Sequence, residues 1–330
     1  MPEPIHSSPA HRRDRIAGVL SGSAAGDALG VPYEFGPRFT GTPQMLGGGL
    51  GNYAPGEYSD DTQMAVCIAQ VAATGADLTS DDALDAIASN FIGWLMDGAT
   101  DVGIQTRTVL RGIQPGRGAA KRLRERSRTL HEETGRTAGN GALMRTAIVG
   151  VTNLTDRPKT AAAATAVAIL THWDLLAVES SVLWSEAVRL AVTVGQLDLM
   201  SGLDLLPTDR QDEWHTWIDE ATGADPANFL NNGFTVTALQ AAWAAITSTS
   251  GATPSDHVVA GVEAAVHAGN DTDTIAAIAG SLLGARYGRL AIPADWRAQV
   301  NGWPDSLRER DLANLALACT GEAPLGPDKP

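Results

Sequence analysis

Apolar side chains recur at helical spacing along most of the chain. Examples are Ile16, Val19 and Leu20; Met64, Ile68 and Val71; Leu84, Ile87, Phe91 and Leu95; Leu183, Val188, Ala191 and Val192; and Ile275, Ile278, Leu282 and Leu283. Residues three and four apart share one face of an α-helix, so each set predicts a helix buried along one side. Alternating β-branched or aromatic runs are almost absent and alanine dominates. The expectation is an all-α fold, a compact single-domain orthogonal helical bundle of about a dozen helices. Gly18, Gly22 and Gly26 fall every fourth residue of the first helix, a smooth stripe that a neighbouring helix can approach closely.

Loops are expected over Pro32 to Ser59, which contains Gly47-Gly48-Gly49, over Leu130 to Gly139, and over Ser201 to Asn232. The last carries Trp214 and Trp217 among acidic residues. It reads as an inserted excursion, too short and too poor in apolar spacing to hold its own core. No Pro/Ser-rich linker divides the chain, so one domain is expected over 11–320, with disordered tails over 1–10 and 321–330.

The composition narrows the partners. The chain has 330 residues, 44% hydrophobic and 19% charged, as ordinary globular proteins do. A formal net charge of −14 argues against extended nucleic-acid binding, which demands a basic surface. Cys67 and Cys319 lack metal-type spacing and read as reduced core thiols. The first residues carry no apolar signal region, and no apolar run reaches the ~18 residues of a membrane span. Together these predict a cytoplasmic monomer.

Two acidic clusters supply the chemistry. Ser59-Asp60-Asp61-Thr62 and Asp271-Thr272-Asp273-Thr274 each open an apolar helical pattern. Either alone is a good helix start, because Ser, Thr and Asp oxygens accept the unpaired N–H groups and negative charge suits the dipole. Capping needs one acceptor per helix, however. Paired carboxylates repel unless a cation or proton intervenes. Oxygen ligands without nearby Cys or His suit Mg²⁺, with Mn²⁺ as the alternative, rather than Zn²⁺. Four carboxylates could balance two divalent ions.

Three further segments stand out. Gly26-Asp27-Ala28-Leu29-Gly30 ends the first helix and leads to Glu34, an acidic residue in a loop. Gly139-Asn140-Gly141 is a turn before a helix start, where exposed N–H groups could hold a phosphate. His172 stands at a helix end, within reach of a ligand or simply hydrogen-bonded in the structure.

These segments, in this order, resemble the ADP-ribosylglycohydrolase family. The matching pieces are G-x-x-x-G-D-A-L-G-x-P-x-E from Gly22, S-D-D-T-Q-M at Ser59 to Met64, Asp101-Val102-Gly103, G-N-G-A-x-M-R at Gly139 to Arg145, and D-T-D-T-I-A-A-I-A-G at Asp271 to Gly280. The resemblance implies a binuclear Mg²⁺ cleft in an all-α fold, and hydrolysis of the glycosidic bond between ADP-ribose and an acceptor. It implies Ser59, Asp60, Asp61, Asp271, Asp273 and Thr274 as metal ligands. Glu34, Asp60, Asp61 and Asp273 fall in the catalytic role, with Glu34 or an Asp of the centre as general base. Gly139, Asn140, Gly141 and His172 are implied to bind substrate, with Asp101 and Gly103 in a loop beside it. Asn270 stands where the family usually has Gly, which predicts an altered backbone there, and Ala138 where some members carry an aromatic residue. Glu34 favours O-linked substrates by the same resemblance, with the acceptor left open. The alternatives are a non-catalytic ADP-ribose-binding regulatory module and another Mg²⁺-dependent phosphate hydrolase.

Overall fold

The computed structural model describes residues 8–326. Among them the chain forms thirteen α-helices: α1 (Pro9–Gly30), α2 (Asp60–Ala72), α3 (Asp81–Met96), α4 (Ile104–Leu110), α5 (Ala119–Thr134), α6 (Arg157–Ala168), α7 (Leu175–Val194), α8 (Thr208–Ala221), α9 (Thr235–Thr247), α10 (Pro254–His267), α11 (Thr272–Tyr287), α12 (Ala294–Gln299) and α13 (Glu309–Ala318). A two-residue antiparallel pairing of β1 (Asn301–Gly302) with β2 (Leu307–Arg308) is the one sheet among the described residues. No helix there is long and apolar enough to cross a membrane.

The molecule is organised around α1 and α11. From Arg15 onward every residue of α1 is buried, and α11 is buried from Thr272 to Ala285. Helices buried all round must be central. They run antiparallel with their backbones in contact. A Cβ placed on Gly18 would lie 2.3 Å from the Gly284 carbonyl oxygen, one on Gly22 2.1 Å from that of Gly280, and one on Gly26 2.0 Å from that of Ala276. The stripe expected from sequence thus meets a second stripe, Gly280 and Gly284, on its partner. At the far end a Cβ on Gly30 would lie 2.4 Å from the Cα of Asp273. The glycines therefore set where the acidic start of α11 sits relative to the end of α1.

Latches close around this pair. Ser21 donates to Glu309 Oε1 at 2.6 Å, and Arg289 grips both oxygens of Glu309 at 2.7 Å each, fixing α13 against α1. Cys67 and Cys319 are both buried and free.

Three expectations are corrected. The segment 201–232 is an integral part of the core rather than an excursion: it contains α8, and Trp214 is fully buried, donating its indole N–H to Glu179 Oε2 at 2.7 Å. Trp214, Ile218 and Ala221 lie four and three residues apart, a single narrow stripe outvoted by the charged residues between them. Helix α5 continues to Thr134, into the expected 130–139 loop. The tails also shrink. Helix α1 begins at Pro9, with Ser8 as its cap, while residues 1–7 and 327–330 lie outside the described residues. Segment 321–326 is held in place, with Arg13 bonded to Glu322 at 3.0 Å and the Leu325 N–H to Asn314 at 2.7 Å.

Candidate active site

The end of α1 builds the first wall. Asp27, fully buried, accepts from the Ser59 N–H at 2.7 Å through Oδ1, and from the Thr62 N–H at 3.0 Å and hydroxyl at 2.6 Å through Oδ2. One side chain of α1 thus supplies the capping acceptors that Ser59 would ordinarily offer to α2. Ser59 is released from that duty, and its hydroxyl donates instead to Asp61 Oδ2 at 3.0 Å. With both oxygens of Asp27 engaged, its part is to position Ser59 and the first turn of α2.

The start of α11 builds the facing wall. Asn140 donates to Asp271 Oδ2 at 2.7 Å and to the Asn232 carbonyl at 2.9 Å. Asn232 in turn receives the Asp271 N–H at 3.2 Å and donates to the Gly269 carbonyl at 2.8 Å. Asp271 is thereby oriented by groups from two distant loops. Asn270 adopts φ 59°, left-handed, which Asn tolerates better than most side chains. Its carbonyl accepts the Phe35 N–H at 2.6 Å.

Between the walls lies a cleft of about 470 Å³. Glu34, Asp60, Asp101, Gly103, Gly139, Asn140, Gly141, His172, Asp271, Asp273 and Thr274 line it. Ser59 and Asp61 lie buried beneath. Of the site residues expected from sequence, Ser59 and Asp61 do not line the cleft; an Asp61 oxygen lies within 4.8 Å of one on Asp273, which does. Oxygens of Asp27, Asp61 and Asp273 lie within 4.8 Å of one another, as do those of Glu34, Asp101 and Asp273. Asp273 belongs to both groups.

The electrostatics are those of a site short of positive charge. Asp61 Oδ1, Asp101 Oδ2 and Glu34 Oε2 are buried without a hydrogen-bond partner. Burial, reinforced by neighbouring carboxylates, raises Asp60, Asp61 and Asp273 well above the usual carboxylate range. Glu34 is pushed up to about 8, first by burial and then by Asp101 and Asp271. Asp27 rises to about 6 through burial, against the pull of its hydrogen bonds. Like charges held this close, with orphaned oxygens and no ion pair to Arg, Lys or His among the described residues, fit a metal ion. The donors are carboxylate and hydroxyl oxygens, the set preferred by hard divalent cations.

The opposite lip is the turn 139–141. No α-helix starts here; a three-residue 3₁₀ turn, Leu143–Arg145, follows, and the Asn140 N–H is taken by the Gly233 carbonyl at 3.1 Å. The helix-terminus phosphate cradle expected from sequence is corrected accordingly: any anion held here is held by the turn and its neighbours. The imidazole of buried His172 lies against the turn, since a Cβ on Gly141 would sit 3.0 Å from its Cε1 and 3.2 Å from its Nε2. Glycine leaves that space open.

Sequence reasoning gave no role to Asp27, Asn232 or Arg145. Asp27 and Arg145 lay inside the quoted motifs; Asn232 lay in the segment read as an excursion. Phe35 was also passed over. It lines the cleft, is 59% exposed, and holds φ 47°.

Fold and site define a class, all-α proteins that gather acidic oxygens able to hold a metal ion between two helix starts. The chain belongs to the ADP-ribosylglycohydrolase family, whose model matches residues 8–324. Among curated proteins it is 28% identical over 323 residues to an ADP-ribosylarginine hydrolase Tri1 of Pseudomonas putida (strain GB-1), covering 92% of this chain and 78% of that one. The corresponding Serratia proteamaculans (strain 568) protein is 25% identical, with the same coverage. An ADP-ribosyl-[dinitrogen reductase] glycohydrolase of Rhodospirillum rubrum is 28% identical, covering 92% and 97% of the two chains. A solved structure titled "ADP-ribosylglycohydrolase-related protein complex" superposes with a TM-score of 0.69 at 26% identity, covering 94% of this chain and 99% of that one.

Proposed function

We propose that this protein hydrolyses the glycosidic bond between ADP-ribose and an acceptor, in a Mg²⁺-dependent reaction within the 470 Å³ cleft. The observation that carries this reading is the pair of carboxylate groups sharing Asp273, with orphaned oxygens on Asp61, Asp101 and Glu34. Ser59, Asp60, Asp61, Asp271, Asp273 and Thr274 would hold two ions. Bound there, divalent cations would supply Lewis acidity towards the ribose hydroxyls and acidify a water.

The remaining work falls to the chain. Glycosidic cleavage passes through an oxocarbenium-like state, so negative charge around the sugar is favourable and water must be delivered to the anomeric carbon. In this reading Glu34, which lines the cleft on the loop after α1, takes the proton from that water in its ionised form, which a cation bound nearby would favour; an Asp of the cluster is the alternative base. The turn 139–141 and His172 receive the diphosphate. Asp101 and Gly103 border the same space. The names of the curated relatives point to arginine as the first acceptor to test, ahead of the O-linkage that Glu34 favoured.

The test is product analysis by liquid chromatography and mass spectrometry, using arginine-, serine- and nucleobase-linked ADP-ribose with Mg²⁺ or with chelator. Intact ADP-ribose released from one substrate only with Mg²⁺ is expected. AMP or phosphate release would favour a phosphate hydrolase. ADP-ribose binding with no turnover would favour the regulatory module.

A further inference from the structure

A buried chain of hydrogen bonds leads from Arg145 to the cleft. Arg145 is fully buried, its guanidinium 4.4 Å from the Phe91 ring centroid, and no carboxylate bonds to it among the described residues. It donates from Nη1 to the Met64 sulfur at 3.5 Å and from Nη2 to the Thr171 hydroxyl oxygen at 2.6 Å. The same Thr171 oxygen lies 2.8 Å from His172 Nδ1.

The direction of the second bond follows from the first. A guanidinium can only donate, so Thr171 Oγ1 accepts from Arg145. The hydroxyl proton then needs an acceptor. Thr171 is fully buried, and among the described residues the one acceptor bonded to its hydroxyl is His172 Nδ1. Nδ1 is thus the lone-pair nitrogen and the ring proton sits on Nε2, the atom facing Gly139 and Gly141. Gln105, which lines the cleft, clamps the same segment by donating to the Thr171 carbonyl at 3.0 Å.

We propose that Arg145 and Thr171 are positioning residues that fix His172 as the neutral Nε2–H tautomer, so that it presents a hydrogen-bond donor to an anionic oxygen of the ligand at the 139–141 turn. The identity of that ligand oxygen as diphosphate rests on the function proposed above; the tautomer does not. Burial and the nearby Arg145 charge hold His172 well below its ordinary pKa, which agrees with a neutral ring. Arg145, lowered to about 9 by burial, remains a cation at neutral pH and keeps its donor role.

Two measurements test this. Nitrogen-15 NMR of the imidazole in the full-length protein should show Nε2 protonated and Nδ1 bare from pH 6 to 8, with Thr171→Ser unchanged and Thr171→Val a mixture of tautomers. An Nδ1–H or doubly protonated ring in the unsubstituted protein overturns the proposal, whether or not any substituted form folds. Calorimetry with ADP-ribose should show Thr171→Val and His172→Phe each weakening Kd roughly tenfold, the cost of one hydrogen bond to a charged group. Thr171→Ser should restore binding, and Thr171→Val should add nothing in a His172→Phe background. Additive losses would mean that Thr171 acts on packing alone, against the proposal. ADP-ribose that fails to bind the unsubstituted protein would count against the proposed function, while the NMR result still decides the tautomer.

Discussion

Buried carboxylates occur in two regions of this molecule, and the regions treat them in opposite ways. Away from the cleft each is matched by a guanidinium. Glu309 is gripped by Arg289, Glu186 by Arg157 and Arg189, and Glu179 by Arg210, all within 3.0 Å at closest approach. In the cleft, Asp60, Asp61, Asp101, Asp271, Asp273 and Glu34 form no ion pair among the described residues. Arg145, although charged and close enough to feel Asp60, donates from Nη1 to Met64 and from Nη2 to Thr171, and its buried Nε has no hydrogen-bond partner among the described residues. An ionised carboxylate in a poorly solvated place is tolerable only with a partner. The structural glutamates carry theirs within the chain, whereas the cleft carboxylates have no guanidinium of their own among the described residues, which is what the proposed metal would answer.

Removing charge should therefore have opposite consequences in the two regions. Asp61→Asn or Asp273→Asn should abolish ADP-ribose release while leaving the chelated protein at least as stable as before, because a repelling charge has gone. Near-normal turnover by either would break the metal assignment. Glu309→Gln should do the reverse. It strands the Arg289 guanidinium and should cost about 3–5 kcal/mol in denaturant unfolding, while the protein that remains folded keeps its kcat. An unfolding midpoint unmoved by Glu309→Gln would erase the contrast.

The legibility of the two regions in the sequence differs for a related reason. The acidic clusters were readable because each is contiguous and each opens a helical pattern, so local spacing alone put two carboxylates on one turn. The glycine stripe was readable for the same reason, and it set the α1–α11 contact. What lay hidden depends on tertiary contact. Asp27 caps α2 across 32 positions of chain, and Asn232 orients Asp271 across 39. Nothing near either residue signals that role. Trp214 misled because one buried stripe in α8 is flanked by acidic and polar side chains, which lowered the local apolar signal below that of a helix with a wide apolar face. The turn 139–141 was legible as a turn, but the 3₁₀ turn that follows it and its pairing with Gly233 and Phe234, far along the chain, were not.

Asn232 sharpens the comparison one layer out, because it touches a proposed ligand residue without being one. Asn232→Ala removes the acceptor for the Asp271 N–H and the carboxamide that ties residue 232 to Gly269. Partners of this kind typically hold ~10–100-fold of metal affinity. The expected result is an increase of about that size in the Mg²⁺ concentration needed for half-maximal turnover, with kcat at saturating Mg²⁺ little changed. An unaltered Mg²⁺ requirement would reduce Asn232 to a loop contact.

The smallest effect expected is on stability against pH, and it isolates the cleft's charge without any substitution. Glu34 is raised to about 8 and Asp27 to about 6, both above the ordinary carboxylate value near 4 that they regain on unfolding. A raised folded-state pKa means that the folded protein binds protons more tightly than the unfolded chain. The stability so contributed is fully present below the unfolded pKa and is lost as pH rises through the folded one. In chelator, the melting temperature should therefore rise by a few degrees between pH 8 and pH 6. Saturating Mg²⁺ held by the neighbouring Asp cluster would set positive charge beside both carboxyls and disfavour those protons, so its stabilising increment should be larger at pH 8 than at pH 6. Glu309→Gln should leave this difference intact, since its charge is balanced within the chain, whereas Asp273→Asn should shrink it. A metal-induced shift that is the same at both pH values, or that survives Asp273→Asn undiminished, would mean that the cations stabilise the protein somewhere other than the cleft.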